Sequence, residues 1–131
     1  MRSVEEALAG ILAVARMTEA EVLPLEACFG RAPASFQQIA AVDVPPFDNS
    51  SMDGYALRAA DTPGRLRLVG EVAAGAGMLP DVVQGAAARI MTGAPMPPGA
   101  DAVAPIEVVE EGAEDVVAPT TAPGAFVRRR G

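Results

Sequence analysis

Apolar residues follow two different spacings along the chain, and the change from one to the other separates its first part from the rest. Near the N-terminus they recur at helical intervals, at Val4, Ala7, Leu8, Ile11, Leu12 and Ala15. Ser3 and Glu6 have the S-x-x-E spacing of a capping box. These positions predict an amphipathic helix over residues 4–16, and no window of helical period follows residue 17.

The remainder of the chain shows period-2 alternation broken by glycine and proline, which is typical of short strands. In "RLRLVGEVAAG" the pattern places Leu66, Leu68 and Val72 on one face of a strand, with Arg65, Arg67 and Glu71 on the other. Further strands are predicted in "EVLPLEACFG", "AAARIMTG" and "DAVAPIEVV", and in "EDVVAP" and "AFVRRRG" as a final pair, with a strand or a short extended segment in "IAAVDV". The acidic stretch "VVEEGAED" is predicted to be a hairpin tip. We expect a mainly β fold with an N-terminal α-helix.

Composition limits the core and the kinds of partner. The chain has 131 residues, of which 50% are apolar, but it contains only four Phe and one Tyr, so we expect a thinly filled core. The formal net charge of −7 repels phosphate backbones and anionic lipid, which argues against nucleic acid and membrane as partners.

Cysteine and histidine usage removes several chemistries. Cys28 is the single cysteine and histidine is absent, so an internal disulfide, histidine acid–base catalysis and most zinc sites are excluded. No run of about 18 apolar residues is present, and the first residues lack the positive region of a signal peptide. We expect a cytoplasmic protein.

Short polar side chains are concentrated in one loop, "PPFDNSSMDGYAL", at residues 45–57. It carries Asp48, Asn49, Ser50, Ser51 and Asp53. Such a loop can present carboxylates to a hard cation and hydroxyl or amide groups to an anion. The same side chains can instead satisfy their own backbone in an Asx-type turn. The residues alone leave both interpretations open.

A second candidate is "RIMTGAPMPPGADAV", where Thr92 and Gly93 follow a predicted strand. Backbone amides and a hydroxyl at such a strand end can contact a phosphate. A bare Thr-Gly pair is a weak signal, and by itself it is interpreted as a turn.

Together the two stretches are specific. The segments "LPLEACFGR", "VDVPPFDNSSMDGYALRAAD" and "RIMTGAPMPPGADAV", with Glu107 close behind, resemble in order and spacing the N-terminal half of the MoeA/gephyrin E-domain family of molybdopterin molybdenumtransferases. The resemblance runs from about Val4 to Gly131. It implies a β-rich domain, irregular and barrel-like, inserted in a small α/β lobe. The domains expected are 1–41 for the first lobe, 42–125 for the inserted domain and 126–131 for a return strand.

The resemblance also implies an activity. The family inserts molybdenum from molybdate into adenylylated molybdopterin and releases AMP, with Mg²⁺ as cofactor, and its members are homodimers. Carried over to this sequence, Asp53 is the catalytic and metal-associated carboxylate and Thr92 the catalytic hydroxyl that donates to a phosphate or molybdate oxygen. Ser50, Ser51 and Gly93 are expected to be substrate-binding residues.

Two departures affect this expectation. "APASFQQIAA" stands where the family has leucine-alanine and an acidic residue, and the chain stops at Gly131, before the family's molybdopterin-binding domain. Metal insertion requires that the pterin and molybdate be held in line, and the resemblance implies that the main contacts to both lie in that missing domain. We therefore expect the 131-residue chain to be inactive alone. The alternative is a non-catalytic binding or scaffold module derived from the family.

Overall fold

The computed structural model describes residues 2–35, 37–75 and 77–131, and in that part the chain forms one α-helix and eight short strands. The helix, α1, spans Val4–Val14. The strands are β1 (Asn49–Ser50), β2 (Gly54–Leu57), β3 (Gly64–Val72), β4 (Ala86–Ile90), β5 (Ala102–Pro105), β6 (Glu110–Glu111), β7 (Asp115–Ala118) and β8 (Val127–Arg128). Short 3-10 helices span Leu25–Ala27, Ala59–Asp61 and Ile106–Val108. The predicted fold class, mainly β with an N-terminal helix, is confirmed.

The chain divides into two units, Met1–Ile39 and Ala40–Gly131. In the first, α1 begins at the predicted capping box: the Glu6 N–H donates to Ser3 Oγ over 3.1 Å, and the Ser3 N–H donates to the Glu6 carboxylate over 2.9 Å. The helix ends at Val14, two residues earlier than predicted, because Ala15 has extended backbone angles. No residue of α1 is buried, so no packing extends its last turn.

The strand predicted in "EVLPLEACFG" is wrong. The segment 21–30 forms no strand; instead Pro24 precedes a 3-10 turn, in which the Cys28 N–H donates to the Leu25 carbonyl over 3.0 Å. The segment 39–44, predicted as a strand or a short extended segment, forms no strand either. Alternating apolar residues form a strand only where a neighbour supplies backbone partners, and within the described residues these segments pair with no strand.

The second unit contains a six-stranded sheet in the order β5-β2-β4-β3-β7-β6. Neighbouring strands run antiparallel except β3 and β4, which are parallel, so the sheet is mixed. It curls into a half-barrel, since the Tyr55 hydroxyl on β2 reaches Glu111 on the far edge strand β6. Strands β1 and β8 form a separate antiparallel pair beside it.

Side chains are buried on both sides of this sheet. The side that we call the inner face carries Tyr55, Leu57, Ala59, Leu66, Ala87, Ala102, Ala104, Val116 and Ala118. The outer face carries Ala56, Val72, Val82, Ala88, Ile90, Ala94 and Val103. Alanine fills much of both clusters, and Tyr55 is the largest fully buried side chain among the described residues.

An irregularity in β3 changes the predicted alternation. Leu66 and Leu68 pack on the inner face, but Val72 belongs to the outer cluster. The prediction that all three share a face is therefore wrong. The register of β3 against β4 shifts between Leu68 and Glu71, around Gly70, and one extra residue reverses the face of every later side chain.

The remaining strand predictions agree with β4, β5 and β7, and the acidic stretch forms the predicted hairpin between β6 and β7. The last two predicted strands form as β7 and β8, and they do not pair with each other: β7 pairs with β3 and β6, while β8 pairs with β1. Polar contacts hold β8 there: Arg129 Nη1 donates to Asp48 over 2.6 Å and Arg130 Nε to Asp43 over 2.6 Å. Among the described residues, no helix is long and apolar enough to cross a membrane.

Candidate functional site

The two loops singled out in the sequence lie side by side. The Ser50 N–H donates to the Ala94 carbonyl over 3.0 Å, and the Gly93 N–H donates to the Ser50 carbonyl over 2.8 Å. One step further along, the Met96 N–H donates to the Asp48 carbonyl over 2.9 Å. This backbone ladder joins segments more than 40 residues apart and fixes the position of each loop against the other.

Asp53 and Thr92 meet at the end of this ladder. Asp53 Oδ1 accepts the Thr92 N–H over 2.6 Å and the Thr92 hydroxyl proton over 2.7 Å. Asp53 directly precedes β2, and Thr92 comes two residues after β4, its antiparallel neighbour. Both residues are exposed. The structure thus brings together the two residues predicted to be catalytic.

These hydrogen bonds stabilise the ionised carboxylate. The Thr92 N–H is the main cause that lowers the pKa of Asp53 below its ordinary value, followed by the Thr92 hydroxyl and then by the charge of Arg89. Asp53 is therefore an anion at neutral pH. Within the described residues its second oxygen, Oδ2, accepts no hydrogen bond.

The amides of the second loop are already in use. The Thr92, Gly93 and Ala94 N–H groups donate to Asp53 Oδ1, the Ser50 carbonyl and the Met91 carbonyl, respectively. Gly93 has a left-handed φ of +81°, which glycine adopts without strain. Since the Thr92 hydroxyl also donates to Asp53, the pair presents oxygen lone pairs to solvent. In this arrangement it suits a cation or a hydrogen-bond donor better than a phosphate.

Ser50 and Ser51 make contacts within the fold. Ser50 is fully buried, and its hydroxyl donates to the Met52 carbonyl over 2.6 Å while accepting the Met52 N–H. The Ser51 N–H and hydroxyl both donate to the Phe126 carbonyl. The Ser50 contacts agree with the turn interpretation, whereas Ser51 connects the loop to a distant segment. Their contact with a substrate stays a prediction.

Asp48 and Asn49 also belong to the loop's framework. The Arg130 N–H, and then the Arg129 guanidinium, lower the pKa of Asp48. Asn49 is almost fully buried, and its Nδ2 donates to the Phe47 carbonyl over 3.4 Å. No described residue donates to its Oδ1. These two residues connect the loop to β8 rather than to solvent.

Arg89 is a neighbour of the site that sequence reasoning missed. It pairs with Tyr55 in the β2–β4 register, and Asp53 lies two residues before Tyr55 on the same side of the strand. Cross-strand diagonal neighbours of this kind lie about 7–8 Å apart between Cα atoms, within reach of a long side chain. A charged residue within the apolar run "AAARIM" is the signal that could have identified it.

The residues around Asp53 supply few ligands for a magnesium ion. The described part of the chain holds no group of three Asp, Glu, Cys or His side chains suited to a metal ion. However, Mg²⁺ keeps several waters and is often held by one or two carboxylates together with substrate phosphates. Asp53 Oδ2, which accepts no hydrogen bond from a described residue, fits one part of such a coordination shell.

Comparison with known proteins gives a consistent result. Residues 2–131 match the family described as the MoeA N-terminal region, domains I and II. Molybdopterin molybdenumtransferase 2 of Mycobacterium tuberculosis is 35% identical over an alignment that covers 100% of this chain and 34% of the relative. Molybdopterin molybdenumtransferase of Synechococcus elongatus is 43% identical over 70% of this chain and 25% of its own length.

A solved structure agrees with the sequence relatives. The molybdopterin biosynthesis MoeA protein of Pyrococcus horikoshii OT3 superimposes with a TM-score of 0.77 at 35% identity, over 85% of this chain and 31% of that protein. The chain thus spans about a third of the length of these relatives. Taken with the mixed half-barrel and the paired loops, these matches establish that the chain belongs to the MoeA family and corresponds to its N-terminal region.

Proposed function

We propose that this chain forms part of a molybdopterin molybdenumtransferase, which inserts molybdate-derived molybdenum into adenylylated molybdopterin and releases AMP during molybdenum cofactor biosynthesis. The names of the relatives support the reaction class. The observation that carries the proposal is the Asp53–Thr92 pair, in which two donors from one residue hold Oδ1 and leave Oδ2 exposed.

In this proposal Asp53 is the catalytic and metal-associated carboxylate. Its lowered pKa keeps it ionised, and Thr92 fixes its orientation through two short hydrogen bonds. Asp53 Oδ2 would hold Mg²⁺, which when bound neutralises negative charge on the substrate phosphate groups. An exposed aspartate held this firmly loses little conformational freedom when a ligand binds.

The Thr92 hydroxyl has one proton, and in this structure Asp53 accepts it. To donate to a phosphate or molybdate oxygen, the Thr92 hydroxyl must first break its hydrogen bond to Asp53. We therefore propose that the main role of Thr92 is to orient the Asp53 carboxylate. Gly93 supports the turn that places Thr92, through its N–H to Ser50. Ser50 and Ser51 hold the other loop beside it.

The chain supplies one wall of the proposed site. Because it covers about a third of its relatives' length, we propose that the remaining contacts to molybdopterin come from other parts of a complete, cytoplasmic, homodimeric enzyme. The 131-residue chain alone is then inactive. We also propose that residues 42–125 form the inserted domain and that 1–41 and 126–131 belong to the first lobe.

The test is Asp53→Ala in a full-length protein that carries this sequence. Molybdenum incorporation and AMP release should fall by at least about a hundredfold, as expected when a preorganised charged group is removed from a site. Asp81→Ala is the matched control, since Asp81 is exposed and makes no hydrogen bond or ion pair with the described residues. It should keep normal turnover.

Two results would contradict the proposal. Near-normal turnover of the Asp53 variant would remove Asp53 from the chemistry. A correctly folded wild-type protein that incorporates no molybdenum and binds no AMP in the presence of Mg²⁺ would favour the scaffold alternative.

A further inference from the structure

Four polar side chains gather at the inner-face end of the half-barrel, beside Asp53. We call Arg89, Glu71, Tyr55 and Glu111 the mouth cluster. Arg89 pairs with Tyr55 on β2 and with Glu71 on β3, so all three occupy one row across the sheet. Glu111 reaches this row from β6, where its carboxylate accepts the Tyr55 hydroxyl proton.

Arg89 is weakly engaged within this cluster. Its Nη1 lies 4.0 Å from Glu111 Oε1, the same oxygen that accepts the Tyr55 proton. Arg89 donates no hydrogen bond to any described residue, and its side chain is 49% exposed. By contrast, Arg65, Arg129 and Arg130 donate to carboxylates over 2.6–2.7 Å. The N–H donors of the planar Arg89 guanidinium are therefore available to a ligand.

Among the described residues of the loop that follows β4, the backbone amides near the Asp53 carboxylate leave no free donor for an anion. The amides of Thr92, Gly93 and Ala94 are all bonded within the fold, and the Thr92 hydroxyl donates to Asp53. A substrate with phosphate groups needs a cationic or N–H partner next to the metal-binding carboxylate. Arg89 is the guanidinium that the β2–β4 register places closest to Asp53 on the inner face.

We propose that Arg89 is a further substrate-binding residue, which holds a phosphate oxygen of the substrate through its guanidinium beside the carboxylate of Asp53, where Mg²⁺ would be held. The assignment rests on the proposed function for the identity of the phosphate ligand. Asp53, Glu71 and Glu111 surround the site with negative charge, so the magnesium complex of a phosphate binds better than the bare anion. Arg89 exchanges its long contact with Glu111 for a bidentate contact with phosphate.

Binding of magnesium pyrophosphate to the isotope-labelled chain tests this inference by NMR. Titration should shift the Arg89 side-chain Nε–H and the Thr92 amide together. Arg89→Gln should weaken binding by about tenfold, the loss expected for a charge-assisted hydrogen bond. Arg89→Lys keeps the positive charge but loses the bidentate guanidinium, so its affinity should lie between those of wild type and Arg89→Gln. Dispersed amide spectra of each variant show that it is folded.

Two further variants sharpen the result. Arg67→Gln removes the same charge from β3. Arg67 is exposed, and because its neighbour Leu66 faces the inner cluster, Arg67 lies on the opposite side of the strand. This variant should bind magnesium pyrophosphate as tightly as wild type does. Glu111→Gln removes the acidic partner of Arg89 and should bind more tightly, because one repulsive charge is gone.

The inference is overturned if Arg89→Gln binds as tightly as wild type, or if titration of the folded wild-type chain leaves both resonances unmoved. These outcomes are independent of turnover. Loss of anion binding in the Arg89 variant alongside full activity of the Asp53 variant would leave the anion site standing and remove the proposed transferase role of Asp53.

Discussion

The Asp53 carboxylate receives two hydrogen bonds from a single residue, and its ionisation therefore depends on Thr92. The Thr92 N–H contributes most to the lowered pKa and the hydroxyl contributes next. A backbone donor remains whatever side chain occupies position 92, as long as the loop keeps its shape. The hydroxyl contribution can therefore be removed by itself.

Thr92→Val keeps the shape of the side chain and removes the hydroxyl. The pKa of Asp53 should rise toward its ordinary value but stay below it, because the N–H bond remains. A carboxyl with a lowered folded pKa adds stability above its unfolded pKa, and this stability is lost as pH falls through the folded value. The variant's stability should consequently depend less on pH in that acidic range.

Carboxyl carbon NMR of Asp53 during a pH titration measures this change. Thr120→Val is the control, since Thr120 is exposed and bonds to no described residue through its hydroxyl. An Asp53 pKa identical in the Thr92 variant and wild type would show that the hydroxyl has no effect on the carboxylate.

At the scale of elements, β2 is the strand on which the site depends, because it lies between β4 and β5 and follows Asp53 directly. Gly54, its first residue, pairs with Ile90 on one side and Pro105 on the other. A Cβ added to Gly54 would lie 2.1 Å from the Ala104 carbonyl oxygen and 2.9 Å from Pro105 Cα. Both are backbone atoms, so the clash can be relieved only by separating the strands.

Gly54→Ala should therefore destabilise the second unit by about 3 kcal/mol, the upper part of the usual range for overpacking. Gly77→Ala is the matched control because its Cβ would meet no atom within 4 Å, and its free energy of unfolding should stay within about 0.5 kcal/mol of wild type. Urea unfolding followed by tyrosine fluorescence reports on this unit, since Tyr55 is the single tyrosine and tryptophan is absent. Equal midpoints for the two variants would contradict the close approach.

The sequence predicted those elements whose pattern is local. The capping box located α1, and alternation located β3, β4, β5 and β7. It did not predict the β1–β8 pair, because that pairing depends on long-range contacts of Asp48 with Arg129 and Arg130. The sequence did not predict the bulge near Gly70 either, because a strict period of 2 allows for no extra residue in the strand.

The candidate site shows the same division. Asp53 and Thr92 are identified through motif resemblance, but the sequence does not show that the two residues are in contact. Arg89 was missed, since its nearness to Asp53 depends on the register between β2 and β4. The burial of Ser50 could not be predicted either. A serine in a polar loop is expected to be exposed, and only the backbone hydrogen bond to Ala94 shows that this one is covered.

At the scale of the whole molecule, burial is concentrated in the second unit. The buried apolar residues that the structure describes lie between Tyr55 and Ala118, and in residues 2–35 and 37–39 the structure describes no buried side chain. The first unit exposes Val4, Leu8, Ile11 and Leu12 along α1. An isolated helix of 11 residues is marginal in water, so the first unit adds little to the stability of this chain.

A chain that consists of residues 40–131 should therefore fold cooperatively without the first 39 residues. Its free energy of unfolding, measured by urea titration with Tyr55 fluorescence, should lie within about 0.5 kcal/mol of the 131-residue chain. Leu66→Ala in the same shortened chain is the positive control: Leu66 is 1% exposed, and its truncation should cost about 2–5 kcal/mol. A shortened chain that unfolds without a cooperative transition, while the 131-residue chain keeps one, would show that the first unit contributes to the core-forming unit's stability.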